Sequence, residues 1–65
     1  MSLMLDAFKK LNNKVVIVKD KDSSRIFSAK IVALDEENGI VHLQSSTGLS
    51  TFHHVDEFLV VRERV

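Results

Sequence analysis

Three histidines, His42, His53 and His54, are the residues in this sequence best suited to chemistry. A neutral imidazole can ligate a metal or exchange a proton. Adjacent residues of a strand point to opposite faces, so His53 and His54 cannot both reach one ion without a bulge. The chain has no cysteine, and no well-spaced Asp or Glu completes a ligand set. No metal and no cofactor are therefore expected. The pair reads either as contacts for a nucleic acid, with Phe52 beside them, or as ordinary surface or interface histidines.

The charged residues offer two further candidates. Asp35, Glu36 and Glu37 stand beside Asn38, where Asp35 and Asn38 could hold the edge of a base or a hydrated cation. A solvated hairpin tip is the simpler reading, because an acidic tip repels phosphate. Lys9, Lys10 and Lys14, with Lys30 and Arg25 as neighbours, form the best phosphate-facing group, although lysines at a helix end also satisfy the helix dipole without any ligand. Phe8, Phe27, Phe52 and Phe58 are the only aromatics. Single-strand binding needs exposed rings on which bases stack. Most of these four read as core; Phe52 has the best claim to a surface role, with core the favoured reading even there.

Catalysis has little to stand on. No nucleophile sits in a recognisable elbow, the only glycines are Gly39 and Gly48, and no paired carboxylates fall on a concave wall. The chain is read as a binding protein, not an enzyme.

The elements that must position these residues follow from the pattern. Met4, Ala7, Phe8 and Leu11 fall at i, i+3, i+4 and i+7, predicting a helix over 3–12. Ser2 can cap its start, and Asn12-Asn13 can adopt the left-handed geometry that ends it. Val15-Val16-Ile17-Val18 is apolar on both faces and predicts a strand buried on both sides. Arg25 to Leu34 predicts a long, bent strand with Phe27, Ala29, Ile31 and Ala33 inward. Asn38-Gly39 is a strong hairpin signal, and Ile40 to Gln44 returns from it. Ser45-Ser46-Thr47-Gly48 turns into Leu49 to His54, and Val55-Asp56-Glu57 connects to Phe58-Leu59-Val60-Val61, again apolar on both faces. The expected fold is mostly β: a short N-terminal helix, then a strongly bent five-stranded antiparallel sheet closed into an SH3-like barrel over 14–65, in one domain of 1–65.

With 65 residues, nine basic and nine acidic groups, the chain has no net charge. Residues 1–30 carry seven Lys/Arg against three Asp, whereas 31–65 carry Arg62 and Arg64 against six carboxylates, so the halves are about +4 and −4. If the halves map to opposite faces, one face could hold a polyanion. A domain this small buries only about 60% of its unfolded surface, and without disulfides it is expected to find support in oligomerisation. No stretch is long enough to cross a bilayer and no secretory leader is evident, so no membrane partner and a cytoplasmic location are expected. Residues 1–3 read as an expression-vector remnant ahead of Met4.

The order of one helix and five strands, with a long bent second strand, resembles the Sm-like fold of Sm, LSm and bacterial Hfq proteins. Ala29-Lys30-Ile31-Val32-Ala33-Leu34-Asp35 through Asn38 looks like the family's first motif. Phe52-His53-His54-Val55 is similar to the tetrapeptide in the fourth strand of Hfq-type members. Gly39 stands where those members carry a base-stacking aromatic, and the Arg-Gly of Sm and LSm proteins has no counterpart. The resemblance implies a homo-oligomeric ring in which the fourth strand of each subunit pairs with the fifth of the next. It also implies single-stranded RNA held by Lys30, Asp35, Asn38, Phe52, His53 and His54, with Lys9, Lys10 and Lys14 on phosphates. The alternative is an assembly module whose partner is a protein and which binds no nucleic acid.

Overall fold

The computed structural model describes residues 3–65, so the cap expected of Ser2 lies outside the described residues. Helix α1 spans Leu3–Lys10, followed by β1 Val15–Asp20, β2 Ile26–Asp35, β3 Ile40–Gln44, β4 Ser50–His54, a 3-10 turn Val55–Glu57 and β5 Phe58–Glu63. The helix ends two residues earlier than predicted, in a turn where Asn13 takes φ 69° and its N–H donates to Ile31 O at 3.0 Å. Its apolar stripe docks as the periodicity requires: Phe8 is fully buried, with Met4, Leu5 and Leu11 packed beside the core. The Phe8 and Phe58 rings meet at 5.7 Å, which ties the helix to the start of β5.

The strands form one antiparallel sheet in the order β4-β3-β2-β1-β5. The sheet does not close: β4 and β5 are its two edges. The expected closed barrel is thus corrected to an open sheet with a helix packed on its inner side, a geometry that leaves one row of backbone groups on each edge strand unpaired.

Val16, Val18, Ala29, Ile31, Val41, Leu43, Val55 and Phe58 form the buried inner face together with Phe8. Each fully buried large side chain here contributes about 1.5–3 kcal/mol. Two irregularities in register decide what faces out. In β2 the pairing passes from Ile31↔Leu43 to Ala33↔His42, so Val32 is extra and the inward phase moves by one residue. Leu34 therefore packs against the core and Ala33, expected inward, is exposed. In β5, Val60 pairs with Lys19 and Phe58 with Asp20, which leaves Leu59 between them. Phe58 and Val61 keep the inner face, while Leu59 and Val60 are 51% and 45% exposed. Val15 also faces out. The first and last strands are thus not buried on both sides within one chain.

Candidate functional site

The outer face of β2, β3 and β4 is ordered in cross-strand rows fixed by register. Asp35, Ile40 and His54 form the row at the hairpin end; Ala33, His42 and Phe52 form the next; Lys30, Gln44 and Ser50 form the far one.

The middle row carries an aromatic platform. Phe52, read from sequence as core, is 71% exposed, because it sits on the outward phase of an edge strand. Its ring stacks on the His42 imidazole, with centroids 4.3 Å apart and planes 23° from parallel. Together with Ala33, Asp35 and Ile40 they line a shallow hollow of about 170 Å³. Drug-sized pockets run to about 300–1,000 Å³, so this one suits a single planar ring. Beneath the phenyl ring, His42 Nε2 is buried with no hydrogen-bond partner among the described residues. An imidazole nitrogen left in that state is unfavourable unless something satisfies it.

The hairpin end is internally satisfied. Asp35 accepts hydrogen bonds from Asn38 Nδ2 at 2.8 Å and from the Asn38 backbone N–H at 3.3 Å. The Asn38 side chain, followed by its backbone N–H, holds the Asp35 carboxyl below its ordinary value of 3.8. Glu36 pairs with Lys9 at 3.2 Å. Gly39 has φ +68°, and a Cβ there would lie 3.3 Å from His54 Nε2. The His54 ring thus covers Gly39, and its Nδ1 accepts from the Asp56 N–H at 3.2 Å to cap the 3-10 turn.

His53 points the other way, as strand alternation requires. Its Nδ1 lies 3.3 Å from Glu57 Oε1 and its Nε2 2.8 Å from Thr51 Oγ1, against the Phe27 and Phe58 rings. The described residues contain no group of three or more His, Asp or Glu side chains arranged to hold a metal.

The sequence-predicted site residues therefore separate. Lys30 and Phe52 share the outer face; Asp35 and Asn38 bond to each other at the hairpin end, where His54 covers Gly39 and bonds to Asp56 and Glu57; His53 belongs to the inner side. Lys9 and Lys14 pair with Glu36 and Glu63, at 3.2 and 3.6 Å. Sequence reasoning missed His42 as the partner of Phe52, and Arg62 and Arg64. The two arginines carry a legible signal, since residues two apart in a strand share a face. Their neighbours depend on β5 pairing with β1, which brings Arg62 opposite Ile17. No helix among the described residues is long and apolar enough to cross a membrane. No family model, curated protein or solved structure matches the chain.

Proposed function

We propose that this chain is a single-stranded RNA-binding module of the Sm-like type that assembles through its sheet edges. Phe52 carries the RNA reading: a phenyl ring 71% exposed on the outer face, braced from behind by His42. Aromatic platforms of this kind bind bases without strict sequence preference, at about 1–3 kcal/mol per stacked base. Fluorescence anisotropy with U-rich and A-rich oligonucleotides at low salt tests it. Affinity that weakens with salt supports the reading, and a folded sample with no affinity for either oligonucleotide ends it.

The edges support the assembly half. An open sheet whose edges are its fourth and fifth strands suits the head-to-tail pairing that the resemblance implies, and β4 with five residues matches β5 with six. The β4 edge is unguarded, with no proline, lysine or carboxylate to repel a neighbour, whereas β5 carries the Leu59 bulge and the charges of Arg62 and Glu63 at its far end and leaves Val60 and Val61 as its uncharged stretch. Head-to-tail contacts of this sort close into rings when the rotation permits. Light scattering coupled to size exclusion should give an oligomer for the native chain and a lower mass for Val60→Lys, which places a charge on the exposed side of β5. A native chain that stays monomeric at high concentration would contradict it.

The protein-assembly alternative without nucleic acid draws on the same edges and on the exposure of Leu59 and Val60. It predicts oligomers with no response to Phe52→Ala in any oligonucleotide assay.

A further inference from the structure

We infer that the far row of the outer face is a phosphate-binding site built from Lys30 and Arg64. The two residues come from distant parts of the chain. Lys30 pairs with Val15 across β1 and with Gln44 across β3, and the Arg64 N–H donates to Val15 O at 2.9 Å, which sets Arg64 on the other flank of Val15. Between them lies a hollow of about 240 Å³, lined also by Ser28, Gln44 and Ser46. No Asp or Glu contributes to its wall. Arg62 adds a third cation in the adjacent row, opposite Ile17, which in turn faces Ser28.

The contrast with other cations of the molecule carries the inference. Lys9 and Lys14 each hold a carboxylate, whereas Lys30, Arg62 and Arg64, like Lys10, Lys19, Lys21 and Arg25, form no ion pair among the described residues, and of these Lys30 and Arg64 together line a hollow with no carboxylate in its wall. Unpaired cations facing one hollow repel each other, and a bound anion relieves that repulsion. The other polar groups suit the same ligand. The Gln44 amide and the Ser46 hydroxyl add donors beside a guanidinium, which presents a fork of N–H groups to phosphate oxygens, and an ammonium, which acts as a point charge. Gln44 and Ser50 lie two residues along their strands from His42 and Phe52, about 7 Å at the usual strand rise. That distance is within the reach of one nucleotide, so a base on Phe52 would bring a backbone phosphate over the hollow. Assignment to a backbone phosphate rests on the RNA reading; affinity for the phosphate group rests on the hollow's own residues.

Amide NMR of the isotopically labelled chain separates the two. Inorganic phosphate should shift the resonances of Lys30, Gln44, Ser46 and Arg64, with sodium chloride of equal ionic strength leaving them in place. A single-stranded U-rich oligonucleotide should shift those four and Phe52 as well. The double substitution Lys30→Gln with Arg64→Gln, both exposed and so compatible with folding, should lower the slope of log affinity against log salt by about one. Phe52→Ala should weaken binding with the slope retained. If phosphate moves nothing at the four positions, or the double variant keeps the native salt slope, the phosphate site is wrong even where RNA binds. If phosphate binds there and the oligonucleotide does not, the site stands and the RNA function falls.

Discussion

At the hairpin end of the outer face, Asp35 takes two hydrogen bonds from Asn38, Glu36 takes Lys9, and His54 caps a turn while covering Gly39. At the far end, Lys30 and Arg64 line an open hollow with no carboxylate in its wall. The residues that looked most like a site in the sequence are those whose polar groups are occupied within the chain. A satisfied group rigidifies a turn, and displacing its partner costs what the partner supplies. An unsatisfied group on a rigid strand is available to a ligand. Phe52 and His42 lie between these ends, with one exposed ring and one orphaned nitrogen.

Phe52→Ala should cost about 1–3 kcal/mol of oligonucleotide affinity, read by anisotropy, and leave unfolding within about 0.5 kcal/mol of the native chain. The reverse pattern is expected at the hairpin end. Gly39→Ala forces a Cβ into φ +68° and against the His54 ring, and should cost about 1–2 kcal/mol in denaturant unfolding with affinity unchanged. If that variant loses affinity while keeping its stability, the hairpin end belongs to the binding site after all.

The smallest effect concerns acid. Asp35 has a folded-state pKa below its ordinary 3.8, so it contributes stability that is present above that value and lost as pH falls through the lower folded value. Melting temperature followed from neutral to strongly acidic pH should show a small loss below about pH 4 that Asn38→Ala diminishes, because Asn38 is the first cause of the shift. An acid limb unchanged in Asn38→Ala would detach the pair from the fold's stability.

Much of the fold was legible. The helical stripe of Met4, Ala7, Phe8 and Leu11, the five strands and the Asn38-Gly39 hairpin each follow from local periodicity or turn chemistry. The errors sit where one residue is inserted into a ladder. A strict alternation carried through Val32 sends Ala33 inward, and the bulge there reverses the phase; in β5, read as apolar on both faces and so buried on both, the bulge at Leu59 leaves Leu59 and Val60 exposed. Sheet closure was not legible, because apolar edge strands fit a barrel or a neighbouring chain equally well. The site was half legible. Phe52 and Lys30 were named, and the charge of the two sequence halves, which could have fallen on opposite faces or interleaved, interleaves: β5 returns Arg62 and Arg64 beside β1, while Lys9 and Lys14 of the basic half meet Glu36 and Glu63.

Ultraviolet crosslinking of oligouridine to the native chain, followed by peptide mass spectrometry, tests base stacking on Phe52, since it reports which side chain touches a base. A dominant crosslink is expected at Phe52 on β4, lost in Phe52→Ala. Crosslinks confined to the helix end around Lys9 to Lys14, or to the Asp35–Asn38 hairpin, would contradict it.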